Sequence, residues 1–307
     1  MSMLSRVAAN VYWMGRYIER AENTARLINV NTNLLLDLPQ RVRLGWEPIV
    51  EIIGGGEAYE QLEGVDERNV IRFLVASPAN PSSILSSLSI AREDARTVRD
   101  IIPREAWEQI NQLYFYVKDD VNRVYAQRTR YDFLRNVILG AQTITGLLAG
   151  TMTHDESYAF LRLGRNLERA DMGTRIIDVR SASLLPETTG ELTPFENIQW
   201  MSVLKSMTGY QMYRRTMRLR IRRSDVLRFL LQVESFPRSF AHCTGEIIGC
   251  LHSLPRNEKP LALVESLSDS VRRIKTDKLE QEQLHATVDK LQLGLAKINN
   301  ELVRNYF

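Results

Sequence analysis

Between Met3 and Asp37 apolar residues recur at steps of three and four, with Gly15 the main interruption, which predicts one long helix. A second stretch of the same kind follows Thr153-His154-Asp155-Glu156, a capped start, and runs to about Leu184. Asn80-Pro81-Ser82 opens a helix to about Ile102, and Pro103 starts the next in its first turn. Pro237 and Pro260 mark similar openings. The stretch from Asn136 to Thr153 has no charge, but Gln142, its threonines and its glycines fit a buried core helix better than a membrane span. Period-two alternation is never sustained. The turn-rich pieces 38–46, 54–66 and 186–195 separate helices, so the expected fold is an all-α bundle.

The pattern is duplicated. The run from Gly15 to Ile28 (Gly-Arg-Tyr-Ile-Glu-Arg-Ala-Glu) returns from Gly164 to Ile177 (Gly-Arg-Asn-Leu-Glu-Arg-Ala-Asp) at a constant offset of 149, every charge keeping its sign. Leu35-Leu36 answers Leu184-Leu185 at the same offset. Val70-Ile71-Arg72-Phe73-Leu74 then matches Val226-Leu227-Arg228-Phe229-Leu230, and Pro81-x-Ser83 matches Pro237-x-Ser239, at an offset of 156. Trp46 and Trp200 lie between these blocks. The expectation is two homologous halves, 1–152 and 153–307, of about six helices each, packed as one unit around a pseudo-two-fold axis.

On a wheel of 100° per residue, Gly15, Glu19, Glu22 and Arg26 fall within about 60°, and Asn23, Arg16 and Arg20 widen that arc to about 160°. Met14, Tyr17, Ile18, Ala21, Ala25 and Ile28 fill the other side, as Leu163, Leu167, Ala170 and Ile177 do in the second copy. The polar stripe of the second copy is Arg165, Glu168, Arg169, Asp171 and Arg175. Three readings stay open: a solvated ion-pair ladder, a buried network linking helices, or a cleft for an anionic ligand with Glu19 and Glu168 as acid–base candidates. The order shared by both copies, and the small residues at 15 and 164, favour a face covered by another backbone.

Composition narrows the classes further. With 307 residues, 44% hydrophobic and 25% charged, the chain can bury a large core, and its formal charge of +3 gives no global field for nucleic acid or membrane. Cys243 and Cys250 read as core thiols. His242 and His252 flank them, but four ligands cannot share one face of that helix. Glu282-x-x-His285 has di-iron spacing and lacks a second copy. Gly54-Gly55-Gly56 has no Lys-Ser after it and reads as a turn. Neither cofactor nor metal is expected, no signal peptide is readable, and cytoplasm is the default compartment. One local concentration stands out: Arg214, Arg215, Arg218, Arg220, Arg222 and Arg223, interleaved with Met217, Leu219 and Ile221, which fits docking to an acidic protein better than to a duplex.

The opening Ser5-Arg6-Val7-Ala8-Ala9-Asn10-Val11-Tyr12-Trp13-Met14-Gly15-Arg16-Tyr17-Ile18-Glu19-Arg20 resembles the signature of the bacterial alpha-E domain family. Arg162-Leu163-Gly164-Arg165-x-x-Glu168-Arg169-Ala170-Asp171 and Phe236-Pro237-Arg238-Ser239 resemble its later blocks. The second copy departs from the first at Met172 and Gly173. The resemblance implies an all-helical protein of unassigned activity whose genes accompany circularly permuted ATP-grasp ligases and transglutaminase-like proteases. Two functions follow as expectations. One is a non-catalytic helical partner of an amide-forming ligase. The other is an enzyme or binding protein whose Arg/Glu stripe takes an anionic peptide or phosphorylated intermediate. Self-association stays open.

Overall fold

The computed structural model describes residues 3–37, 45–53, 66–182, 193–217 and 220–307. Among them lie thirteen α-helices and no strand: α1 (Ser5–Asp37), α2 (Glu47–Ile53), α3 (Glu67–Val75), α4 (Ile84–Thr97), α5 (Arg104–Asp120), α6 (Gln127–Thr151), α7 (Glu156–Ala182), α8 (Thr193–Ser206), α9 (Tyr210–Thr216), α10 (Arg223–Gln232), α11 (Phe240–His252), α12 (Glu258–Arg272) and α13 (Gln281–Tyr306). A 3-10 turn, Val121–Val124, links α5 to α6. Six of these helices precede residue 153 and seven follow it.

The two long motif helices, α1 and α7, pack against each other at the centre. On one side α1 carries α4 and α6, with α5 packed on both; on the other α7 carries α11 and α13, with α12 packed on both. Local chemistry sets the helix starts. Ser83 accepts from the Ser86 amide to cap α4, and Ser239 accepts from the His242 amide to cap α11. Asp155 accepts from the Ser157 and Tyr158 amides ahead of α7.

Only glycine permits the central crossing. A Cβ on Gly15 would lie 2.6 Å from the Leu161 carbonyl oxygen, and one on Gly164 would lie 2.0 Å from that of Tyr12. In each case the obstacle is backbone, which no rotamer change relieves. Around the crossing Met14, Ile18, Ala21, Ala25 and Ile28 are buried with Leu163, Leu167, Ala170 and Ile177, as the wheel requires. Trp46 and Trp200 are buried as well.

Two expectations change, and a third observation bears on the polar stripe, for which a covered face was favoured. The uncharged stretch 136–153 is not a buried core helix: α6 buries Val137, Ala141, Ile144 and Leu148 on one face and exposes Asn136, Leu139, Thr143 and Gly146 on the other. Its outer face is built from threonine, glycine and amide groups, so absence of charge did not mean burial. Next, α4 ends at Thr97, ahead of Ile102, where 3-10-type bonds from the Val98 and Ile101 amides and an i→i−4 bond from the Ile102 amide close a turn before Pro103. Finally, α1 buries its polar arc as well as its apolar one, because α7 and the turn before α11 cover it. Most of the turn-rich pieces, Gly54-Gly55-Gly56 and Leu184-Leu185 lie outside the described residues. Among the described residues no helix is long and apolar enough to cross a membrane.

Candidate functional site

At the crossing, the carboxylate of each motif helix is held by arginines of the other. Glu168 on α7 accepts from Arg16 Nε at 2.8 Å and from Arg20 Nη2 at 2.9 Å, Arg20 Nε closing a bidentate pair. Glu19 on α1 accepts from Arg169 Nε at 3.0 Å and Nη2 at 2.7 Å, again bidentate. The two carboxylates are 2% (Glu19) and 1% (Glu168) exposed. Buried carboxylates survive as ions only when paired and hydrogen-bonded, and these two are.

A further arginine completes the Glu19 side. Arg238 sits in the turn between α10 and α11, which Ser239 fixes by donating to the Val233 carbonyl at 2.6 Å while capping α11. From there Arg238 Nη1 reaches Glu19 and the Asn23 carbonyl oxygen, each at 2.8 Å, and Nη2 reaches Glu22 at 2.7 Å. Glu22 also accepts from Arg26, at 2.6 Å from Nη2. On the Glu168 side Arg16 donates to the Asn299 carbonyl oxygen at 2.8 Å, which also accepts from the Tyr12 hydroxyl at 2.7 Å. Arg16 lies over Trp13 and Arg20 over Tyr17, both at 5.1 Å from the ring centre.

The electrostatics follow from this pairing. Burial pushes the Glu168 carboxyl up, yet the charges and hydrogen bonds of Arg16 and Arg20 outweigh it and hold the group at about 2. Glu19 is likewise driven well below the usual carboxylate range, burial being overcome by Arg169 and Arg238. Asp171 goes the other way. It is paired with Arg175 alone, at 2.9 Å, and burial raises it.

Of the ten stripe residues, nine are thus paired within the network: Arg16 and Arg20 on Glu168, Arg169 on Glu19, Arg26 on Glu22 and Arg175 on Asp171. Arg165 is the exception. Its Nε is buried with no acceptor, and burial and the neighbouring Arg169 charge lower its affinity for a proton. Arg238, Asn299 and Tyr12 are the members of the network that the helical wheel did not bring in, whereas Asn23 lay on its polar arc. A turn arginine carries no periodic signal, although Arg238 stands in the Phe236-Pro237-Arg238-Ser239 block.

The other expected sites are dispersed. Arg214, Arg215, Arg220 and Arg222 are exposed, beginning in α9 and ending at the start of α10. Arg218 lies outside the described residues, with Leu219. Arg223 instead turns inward and donates to the Leu279 carbonyl. Cys243 and Cys250 are buried free thiols, and burial pushes them up to about 12 and about 11. His242 Nδ1 meets the Glu234 carbonyl at 2.7 Å, and His285 Nδ1 meets Asp178 at 2.7 Å. Among the described residues no group of three or more His, Cys, Asp or Glu side chains is placed to hold a metal ion.

Fold and site together define an all-helical bundle closed by reciprocal arginine–carboxylate pairs between two copies of one helix motif. The chain belongs to the Alpha-E family, described as a predicted alpha-helical domain with a conserved ER motif, which matches residues 3–307. Glu19-Arg20 and Glu168-Arg169 are the Glu-Arg pairs of the two repeated helices. Uncharacterised proteins of Mycobacterium bovis and of Mycobacterium tuberculosis are 22% identical over 315 residues, covering 95% of this chain and 34% of theirs. The chain therefore spans about a third of the length of the curated relatives it matches. No solved structure matches it.

Proposed function

We propose that this protein is a non-catalytic helical partner of an ATP-grasp-type, amide-forming ligase, and that the repeated Glu-Arg helices are the clasp that fixes its shape. One observation carries the reading: Glu19 and Glu168 are buried, ionised and saturated by arginines, so neither has a proton to give or a free face toward a substrate. Relatives about three times as long as the matched region fit a unit that works beside other chemistry. Docking runs through Arg214, Arg215, Arg220 and Arg222, which are exposed, as Met212 is, and suit an acidic face. The expected place of action is the cytoplasm.

The test is co-purification with the ligase encoded beside it, and assay of that ligase alone and together with this protein. Stimulation or stabilisation that is lost on reversing Arg214, Arg215 and Arg222 to Glu supports the reading. Turnover by this protein alone, abolished in a folded Glu19→Gln variant, overturns it in favour of an acid–base site.

The same reading includes a duplicated architecture, two halves related by a near two-fold axis. The order α1 to α6 recurs from α7 to α13 with one extra short helix, Tyr210–Thr216. The Gly15–Leu161 and Gly164–Tyr12 approaches exchange when 149 is added to the first-half number, and Ser83 and Ser239 cap matching helices 156 apart. Residues 1–100 should superpose on 150–255 in a crystal structure; unrelated surroundings for α1 and α7 overturn the duplication.

A further inference from the structure

Away from the clasp and from the docking arginines, α3 and the 3-10 turn Val121–Val124 border an open surface hollow of about 430 Å³ lined by Arg68, Asn69, Arg72, Asn122 and Tyr125. Arg68 and Arg72 are one helical turn apart on α3, a like-charge spacing that opposes the helix when nothing compensates it. Neither guanidinium has a carboxylate partner among the described residues; Arg68 lies over the Tyr125 ring at 5.9 Å.

Among the described residues, the acids Asp66, Glu67 and Asp120 are engaged elsewhere. Asp66 caps α3, accepting from the Asn69 amide and from Asn69 Nδ2, each at 2.8 Å. Glu67 turns to the Arg130 guanidinium, and Asp120 faces Arg123 at 3.6 Å. Arg130 is the brace behind the concavity. It is 3% exposed, pairs with Glu67 on the α3 wall, and donates to the Val124 carbonyl at 2.8 Å and the Tyr125 carbonyl at 3.4 Å on the other wall. The walls are thus held at a fixed separation by a buried ion, which is how a binding site is kept in shape before its ligand arrives.

We infer that this concavity is a binding site for a phosphate ester of a small polar molecule, with the phosphate on Arg68 and Arg72. A dianionic phosphate neutralises both guanidiniums through charge-assisted hydrogen bonds, which a single carboxylate does not. The volume is in the range of small-molecule sites and exceeds what a bare phosphate fills. The remainder is lined by Asn122 and Tyr125, whose amide and hydroxyl are groups suited to the hydroxyls of the organic part.

The test is titration calorimetry with glucose 6-phosphate and with inorganic phosphate at constant ionic strength, sodium chloride serving as control. Glucose 6-phosphate should bind saturably and more tightly than inorganic phosphate. R68Q and R72Q should each weaken both ligands about tenfold or more. Both side chains are exposed, so the variants should melt like the parent. N122A should weaken glucose 6-phosphate and leave inorganic phosphate unchanged. Absence of saturable heat, affinity untouched by R72Q, or heats reproduced by sodium chloride overturn the site. Equal affinity for the two phosphates overturns the ester assignment. None of these variants touches Arg214, Arg215 or Arg222, so the ligase test is decided separately.

Discussion

Glu168 and Glu19 hold matching places on α7 and α1, yet they are satisfied by different sets of arginines. Glu168 takes Arg16 and Arg20, both from α1. Glu19 takes Arg169 from α7 and, in place of Arg165, takes Arg238 from a turn about seventy residues later in the chain. Position 82, which stands 156 before Arg238, is serine, so the first half has no such arginine to offer. With Arg238 on Glu19, Arg16 is doubly engaged while Arg165, 149 residues further on, has no acceptor for its Nε among the described residues. Buried pairing is decided by who arrives with the better geometry, and sequence repetition alone does not settle it.

The comparison can be broken most directly at the carboxylates. Glu168→Gln removes the one carboxylate that pairs with Arg16 and Arg20 among the described residues and should cost on the order of 3–5 kcal/mol in urea unfolding. Glu19→Gln should cost less, because Arg238 keeps Glu22 and Asn23. Equal losses, or none, would remove the asymmetry between the two sides.

The glycines sharpen it next. Gly164→Ala puts a Cβ closer to backbone than Gly15→Ala does, 2.0 Å against 2.6 Å, so α1 and α7 must separate further. Overpacking of this kind typically costs about 1–3 kcal/mol, and Gly164→Ala should show the larger drop in melting temperature. The reverse order would mean that the crossing relaxes from the α7 side.

A smaller effect, of opposite sign in the two halves, belongs to the arginines. Arg16→Gln gives up charged hydrogen bonds and should lose about 1.5–3 kcal/mol. Arg165→Gln removes a desolvated cation with no acceptor and should leave stability unchanged or raise it by about 1 kcal/mol. Destabilisation by Arg165→Gln would show that this guanidinium has an anionic partner in solution.

The last contrast pairs Asp94 with Cys250, which stands 156 further on. Burial, with a minor push from Glu93, raises the Asp94 carboxyl from 3.8 to about 7, and its Oδ2 has no partner. The raised value means that the folded protein prefers the proton. That contribution is complete below about pH 3.8 and is lost as pH rises through 7. Asp94→Asn should flatten the stability profile across this window and stabilise the protein at pH 8. An unchanged slope in chemical denaturation at pH 4, 6 and 8 would contradict the assignment.

Much of this was legible in the chain. Helix positions followed from spacing and from Asn80-Pro81-Ser82, Pro103 and Asp155, because start signals are local chemistry, the cap of α4 falling one residue later at Ser83. The core residues of α1 and α7 followed from the wheel. The burial of Glu19, Glu22 and Arg26 was favoured by Gly15, Gly164 and the shared charge order, but the wheel left it open, since a wheel sorts residues by face and does not report what covers a face. The outer position of α6 was misread because Thr143, Thr151, Gly146 and Gly150 avoid charge while facing solvent. The arginine run looked continuous in sequence, but Arg223 is spent on a carbonyl of the chain before α13. Arg72 was read only as part of a repeated block and Arg68 not at all, because the wall that makes them a pair comes from the turn at Asn122 and Tyr125.

The glycine crossing has a consequence for synthesis. Gly15 leaves the ribosome about 150 residues ahead of Gly164, which at roughly 5–20 residues per second is a delay of about 8–30 s. Through that interval α1 carries its apolar seam, and Glu19 waits for Arg169 and Arg238. A chain stopped near residue 152 has no α7 to cover either face, so it should aggregate or occupy chaperones while the full chain folds. Production of this protein is therefore sensitive to translation speed across the second half, even though the residues that need protection lie in the first thirty.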